Sequence, residues 1–127
     1  MKKVYKTSVA EITQLKDNFF RIEYARDTFV DLPELEEALA IYKEVLGNEK
    51  FYLLTVINRG VTVSERARNY WTTPGRSKIK IAEAFVINRL SHVLITNFVT
   101  KFQPPSHEIK FFKTEKKAME WLYSKKK

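Results

Sequence analysis

Few side chains in this sequence have both the type and the setting for acid–base chemistry. Glu83 interrupts the apolar run IKIAEAFVI, and an acid among apolar residues can have a raised pKa and serve as a general base. The alternative is an ion pair, because several arginines precede this run. We expect Glu83 to pair with an arginine rather than to act as a base. The candidate partners are Arg66, Arg68 and Arg76.

The two histidines do not indicate a metal site or a nucleophile. His92 and His107 are well separated, and the chain has no cysteine and no acidic cluster that matches them. His92 follows Ser91, but no acid is placed in the sequence to complete a catalytic triad. The 3 glycines lie at separate chain breaks and form no phosphate-binding loop. We therefore predict no catalytic residue, no metal and no cofactor.

The stretch from Arg66 to Lys80, RARNYWTTPGRSKIK, interleaves cations with aromatic residues. Such a pattern can hold single-stranded nucleic acid or a phosphorylated ligand. The spacing of Ala67, Tyr70 and Trp71 is also that of a buried helix face, and we expect burial rather than nucleic-acid binding. A small apolar or anionic ligand could bind between the sheet and the long helix described below. Candidate residues for that pocket are Arg68, Trp71, Arg76, Glu83, Phe85, Phe98 and Phe102.

Length and composition indicate one packed domain. The chain has 127 residues, of which 44% are hydrophobic and 13% aromatic, which favours a packed globule over disorder. We assign residues 1–124 to the domain and 125–127 to a basic tail. The net charge of +8 is uneven, since residues 27–50 carry 2 basic and 7 acidic side chains, and we interpret it as a solvated surface. The absence of cysteine, signal peptide and membrane span favours a cytoplasmic location.

Hydrophobic periodicity predicts five strands. Residues 51–57 and 79–87 are apolar on both faces, which is typical of central strands covered on two sides. Residues 4–12 and 19–25 alternate between apolar and polar types, so we expect an antiparallel hairpin at the edge of the sheet. Residues 108–112 form a short final strand.

The first and last helices have clear boundary signals. Asp31 is suited to cap the first helix, which has apolar residues at helical spacing up to Leu46 and ends at Gly47. Thr114 caps the closing helix, which packs through residues such as Ala118 and Leu122.

Two further helices are expected between the last three strands. Ser64 caps a short one that ends before Pro74. Ser91 caps a long one from about residue 92 to 102, where two prolines stop it. The order is then β-β-α-β-α-β-α-β-α, which predicts an α/β fold with a mainly parallel five-stranded sheet.

In this order, and in two sequence strings, the chain resembles the SpoIIAA-like family, which groups STAS domains with small bacterial proteins of unassigned role. EAFVINRLSHVLITNFVTKFQPP is similar to the strand, turn, long helix and proline of that family, and EIKFFKTEKKAMEWL is similar to its closing strand and helix. These are packing motifs, so the resemblance implies a SpoIIAA-like fold more directly than a function.

The resemblance also implies a possible switch residue. In STAS regulators, a partner kinase phosphorylates a serine at the start of the helix that follows a central strand. Ser64 occupies the comparable place, with Arg59 and Arg66 close in sequence, although the family's acidic residue and small neighbours are absent from this turn. The simpler interpretation of Ser64 is a helix cap.

The function that the resemblance implies is a non-enzymatic regulatory or protein-interaction module with a protein partner. The alternative is a carrier or sensor that holds a lipid-like or anionic ligand between the long helix and the sheet. If most helices cover one face of the sheet, the opposite apolar face needs a cover, so we also predict a homodimer.

Overall fold

Six strands form a mixed sheet with helices on both faces. The structure is a computed structural model, and it describes residues 3–67, 80–87 and 108–125. The elements in chain order are β1 Lys3–Lys6, β2 Ala10–Lys16, β3 Phe19–Tyr24, β4 Phe29–Val30, α1 Leu32–Leu46, β5 Phe51–Ile57, β6 Thr62–Val63, β7 Lys80–Ile87, β8 Glu108–Phe112 and α2 Glu115–Lys125. The strands of the main sheet lie in the order β1-β2-β3-β5-β7-β8.

The two central strands lie where the sequence predicts them. β5 and β7 are parallel neighbours, and all residues of β5 are buried. β3 and β8 flank them in parallel, whereas β1 and β2 are antiparallel additions at one edge. The sheet is therefore mixed, and its parallel part follows from the continuous apolar runs, which need cover on both faces.

The prediction of a single first strand is wrong, because the chain turns back after β1. Thr7 donates its backbone N–H to the carbonyl of Ala10 at 2.8 Å, and its Oγ1 accepts from the amides of Val9 and Ala10. A threonine side chain that binds backbone groups in this way favours a turn over an extended strand. Within residues 3–67, 80–87 and 108–125, the main sheet consequently has six strands rather than the five predicted.

A second, two-stranded sheet was not predicted. β4 and β6 pair in parallel, with Phe29 opposite Thr62 and Val30 opposite Val63. They follow β3 and β5, which are parallel neighbours, so the two chain segments leave the main sheet side by side. This pairing brings the residues before α1 next to the residues around position 64.

The boundary signals of both described helices are confirmed. Asp31 caps α1, and the N–H of Gly47, whose φ is 65°, donates to the carbonyl of Lys43 at 2.8 Å. Thr114 Oγ1 accepts from the amide of Lys117 at 3.3 Å at the start of α2. α2 includes Lys125, whose Nζ lies 2.7 Å from a carboxylate oxygen of Glu108, so the helix extends into the predicted tail.

Each face of the sheet has its own hydrophobic layer. One layer contains residues of α1 with Phe20, Ile22, Phe51 and Phe85 from the sheet. The other contains Ala118 and Leu122 of α2, together with apolar residues of β3, β5 and β7. α2 thus covers the second face over β3, β5 and β7, so the described residues do not support the uncovered apolar face from which the homodimer was predicted.

Part of the predicted fold lies outside the described residues. This applies to the long helix at 92–102, to its cap Ser91, and to the short helix beyond residue 67. Residues 65–67 are helical, and Ala67 is fully buried in the layer beneath α1. Within the described ranges, no helix combines the length and apolar character needed to cross a membrane.

Candidate functional site

Ser64 and Arg66 meet at the carboxylate of Asp31. The hydroxyl of Ser64 donates to Asp31 Oδ1 at 2.6 Å. Nε and Nη2 of Arg66 donate to Oδ1 and Oδ2 at 2.7 and 2.8 Å, which is a bidentate ion pair. We call these three residues the cap cluster. Their meeting depends on the β4–β6 pairing, since it joins two segments that are distant in sequence.

Asp31 also holds the first turn of α1. Its Oδ1 accepts from the backbone N–H of Leu32 at 2.8 Å, and its own N–H donates to Glu34 Oε1 at 2.7 Å. These bonds form a capping box, in which two amide donors that the helix leaves unpaired are satisfied. Asp31 is therefore shared between the start of α1 and the Ser64 segment.

Ser64 is a helix cap, as predicted. Its Oγ accepts from the amide of Ala67 at 3.1 Å, while its own amide donates to the carbonyl of Val30 at 2.9 Å. The hydroxyl thus accepts one hydrogen bond from the helix and donates one to Asp31, which fixes its rotamer. These two hydrogen bonds are those of an unmodified serine, and whether Ser64 is phosphorylated stays a prediction.

The cap cluster is charged and open to solvent. The Arg66 guanidinium lowers the pKa of Asp31 well below its ordinary value of 3.8, and the hydrogen bond from Ser64 lowers it further. Asp31 in turn raises the pKa of Arg66, with Glu36 and Glu34 adding negative potential. The side chain of Arg66 is 61% exposed and that of Asp31 is 23% exposed, so a partner could reach both.

Arg59 does not join the cap cluster. It is exposed in the loop after β5, where its carbonyl accepts from the amide of Asp27 at 3.1 Å. That loop packs tightly on the loop after β3, because Gly60 has φ 82° and a Cβ there would lie 1.9 Å from Asp27 Oδ1.

Glu83 is buried and ion-paired, but its described cation is a lysine. Glu83 is only 2% exposed. Its carboxylate accepts a hydrogen bond from Thr55 Oγ1 at 2.7 Å and one from Lys80 Nζ at 3.2 Å. We call Thr55, Lys80 and Glu83 the interior cluster. The predicted pair with Arg66 is wrong, because Arg66 binds Asp31. The other candidates, Arg68 and Arg76, lie outside the described residues.

A β-bulge explains why Lys80 can reach Glu83. Lys80 is opposite Phe51 and Ala82 is opposite Tyr52, so one extra residue is inserted in β7 at this point. In a regular strand, positions three apart point to opposite faces, whereas a bulge places them on the same face. The side chains of Lys80 and Glu83 consequently share the face that α1 covers.

Two buried tyrosines share this layer with Glu83. Burial raises the pKa of Tyr24 and of Tyr42, and the negative charge of Glu83 raises both further. Within the described part of the chain, the hydroxyl of Tyr42 has no hydrogen-bond partner, although this residue is only 3% exposed. The layer therefore contains several polar groups in an otherwise apolar environment.

The remaining candidates are mostly beyond the described ranges. Phe85 is buried in β7, with its ring centroid 5.3 Å from that of Phe111. Among residues 3–67, 80–87 and 108–125, no three histidine or acidic side chains are arranged to hold a metal ion. The candidates outside these ranges are Arg68, Trp71, Phe98, Phe102, His92 and His107.

Three side chains of the two clusters were not predicted as site residues from the sequence. Asp31 was recognised only as a cap, and its second role depends on the unpredicted β4–β6 pairing. Thr55 is the one polar residue of FYLLTVI, which is a signal that it faces a polar partner. Lys80 stands at the start of a strand, and only the bulge shows that its side chain points inward.

Comparisons with known proteins identify the chain by family and by fold. The model of a domain of unknown function, DUF7793, matches residues 13–126. The chain is similar to the crystal structure of an uncharacterised DUF3478-family protein with a SpoIIAA-like fold from Shewanella loihica. The TM-score is 0.53 and the identity 14%, over 96% of this chain and 92% of that chain. The SpoIIAA-like relationship is thereby confirmed for the fold. None of the curated proteins compared with the chain matches it.

Proposed function

We propose that this chain, which belongs to the DUF7793 family of domains of unknown function, is a non-enzymatic regulatory module that binds a protein partner through its cap cluster. The observation that supports this proposal is the position of Ser64. Its hydroxyl lies at the start of a helical segment after the central strand β5, 2.6 Å from Asp31, beside an exposed arginine. A hydroxyl, a carboxylate and a guanidinium that solvent can reach are groups that another protein can address.

The state of Ser64 would control this surface. A kinase that transfers a phosphoryl group to Ser64 removes the hydroxyl proton that Ser64 donates to Asp31. The phosphate adds about two negative charges beside the carboxylate. Asp31 and the phosphate then repel each other, and the donors of Arg66 turn from the carboxylate to the phosphate. The ion pair between Arg66 and Asp31 is lost while the β4–β6 pairing still holds the two segments together, so the charge that the surface presents to a partner changes.

The environment of Glu83 supports a non-enzymatic role. A general base must be within hydrogen-bond reach of the proton that it removes. Glu83 is instead enclosed in the sheet and accepts hydrogen bonds from Thr55 and Lys80. These contacts fit a carboxylate that stabilises the sheet.

The experiment uses the purified chain as bait in an extract of its own cells, with and without ATP. We expect a protein that binds the wild type and is lost from Arg66→Ala. Arg59→Ala is the matched control, because Arg59 is an exposed arginine outside the cluster. The candidate partner is then purified and its affinity for the three chains is measured. An equal affinity for wild type and Arg66→Ala would contradict the proposal.

A carrier or sensor is the second candidate, and the hydroxyl of Tyr42 favours it. A buried hydroxyl without a described partner is costly unless a bound molecule satisfies it. When the purified chain is denatured, it releases any small molecule that co-purified with it, and mass spectrometry of the released material would detect that molecule. Loss of that molecule from Tyr42→Phe would support this function, and its retention would exclude a role for the hydroxyl.

The predicted homodimer remains a separate question, because α2 covers the face that a second copy was expected to bury. Sedimentation at micromolar concentration distinguishes a 15.0 kDa monomer from a dimer.

A further inference from the structure

A cleft of about 340 Å³ opens between the turn after β1 and the ends of β3 and β5. Its walls are the turn at residues 7–10 and the side chains of Lys6, Glu11, Glu23 and Asn58. Small-molecule sites usually have volumes of about 300–1,000 Å³, and in open α/β sheets they lie beyond the carboxyl ends of the strands. The cleft has the volume of such a site and lies beyond the carboxyl ends of β3 and β5.

Three charged side chains form a row beside this cleft. Lys6 is opposite Glu11 across β1 and β2, and Glu11 is opposite Glu23 across β2 and β3. Paired residues of neighbouring strands share a face, with Cβ atoms about 5 Å apart. The neighbouring Ala10 and Ile12 belong to the layer under α1, so this row lies on the other face of the sheet.

The charges of this row are incompletely neutralised. In the described part of the chain, Lys6 and Glu11 each lack an ion pair and a side-chain hydrogen bond, and both are exposed. Glu23 accepts from Arg21 Nη1 and from Asn58 Nδ2, each at 2.9 Å. Two like charges directly opposite each other destabilise a strand pair, and Arg21 compensates only Glu23, so a further cation between Glu11 and Glu23 would be favourable.

The walls of the cleft are held in place by the rest of the fold. Ser8 donates to Glu37 of α1 through its amide at 3.1 Å and its hydroxyl at 2.7 Å. The amide of Ala25 donates to the carbonyl of Val9, and Asn58 Nδ2 also donates to the carbonyl of Tyr24. Such a preformed site loses little conformational freedom when it binds a ligand.

We infer that this cleft binds a small amino acid in its zwitterionic form. The ammonium group lies between Glu11 and Glu23, and the carboxylate pairs with Lys6. Because Glu23 is already paired with Arg21, a ligand with only one charge would leave either Glu11 or Lys6 without a partner. The inference does not depend on the cap cluster, which shares no residue with the cleft.

The test is a titration of the isotope-labelled full chain with γ-aminobutyrate at low salt, followed by NMR. We expect saturable shifts of the amides of Lys6, Glu11, Glu23 and Asn58. Butylamine and butyrate, which each lack one charge, should bind about tenfold or more weakly, which is the effect of one lost charge-assisted contact.

Two variants of exposed residues assign the charges. Lys6→Met and Glu11→Gln should each weaken γ-aminobutyrate binding about tenfold. The matched controls Lys3→Met and Glu44→Gln, also exposed, change the net charge equally and should bind as wild type. The inference is overturned if the shifts do not saturate or map elsewhere, if a singly charged analogue binds equally well, or if Lys6→Met and Glu11→Gln bind as wild type.

Discussion

The cap cluster and the interior cluster each consist of a carboxylate, a hydroxyl and a cation, in opposite environments. Each has a carboxylate that accepts from a hydroxyl, at 2.6 Å for Asp31 and 2.7 Å for Glu83, and that pairs with a cation. The cation of the cap cluster, Arg66, is 61% exposed, whereas that of the interior cluster, Lys80, is 12% exposed. The buried groups have no water to replace a lost partner, so removing one member of the interior cluster is costly, whereas the exposed groups can exchange partners.

This difference predicts that the largest loss of stability follows from removing the buried cation. Lys80→Met takes away the ammonium 3.2 Å from Glu83 and should lower the free energy of unfolding by about 3 kcal/mol. Urea unfolding measures this change. Lys50→Met, at an exposed lysine before β5, is the control and should stay within about 0.5 kcal/mol of wild type. A loss of less than about 1 kcal/mol in Lys80→Met would show that the charge of Glu83 does not depend on Lys80.

The buried hydroxyl should come next. Thr55→Val keeps the volume but removes the donor to Glu83 Oε2, and a hydrogen bond to a charged group contributes about 2 kcal/mol. Thr62 is an exposed threonine of β6. Urea unfolding of Thr62→Val measures the effect of a threonine-to-valine change where no hydrogen bond to Glu83 is lost. Equal effects of the two substitutions would contradict the role of Thr55.

The corresponding serine of the cap cluster should have a smaller effect. Ser64→Ala removes a helix cap, which costs about 1 kcal/mol. Ser124→Ala, at an exposed serine of α2, removes only a bond to the carbonyl of Trp121 and should change the unfolding free energy by a few tenths of a kcal/mol, as most surface substitutions do. If Ser64→Ala costs as much as Thr55→Val, the two clusters do not differ in the way described.

The smallest effect is the pH dependence of the cap cluster. The folded chain holds the pKa of Asp31 below its ordinary value of 3.8, so the unfolded chain binds more protons at low pH. This contribution is complete above the ordinary pKa and is lost as pH falls below it. The difference in unfolding free energy between wild type and Asp31→Asn should therefore be constant from about pH 7 to 5 and shrink below about pH 4. A difference that does not change below about pH 4 would contradict the shift.

The sequence was sufficient for the parts of the fold that depend on local pattern. The apolar runs 51–57 and 79–87 have the length and the β-branched and aromatic residues of central strands, and the spacing between Asp31 and Gly47 is that of a helix. The first strand failed because Thr7 binds the backbone of the turn, and alternation alone does not show such a bond.

The candidate site was less predictable, since it depends on contacts between distant segments. Ser64 and Arg66 were identified, but their common partner Asp31 is brought to them by a two-stranded sheet of four residues, which is too short to give a pattern. The partner of Glu83 was missed for a similar reason. A bulge of one residue reverses the direction of a side chain, and no feature of the run KIAEAFVI marks its place.

The most direct test of the regulatory account is the modification state of Ser64 in the chain isolated from its own cells. Peptide mass spectrometry should find a phosphoryl group on Ser64 in a fraction of the molecules, with the partner retained by only one of the two forms. A chain that lacks phosphate at Ser64 in every growth condition, and whose Ser64→Ala variant retains the same partner with the same affinity, would contradict it.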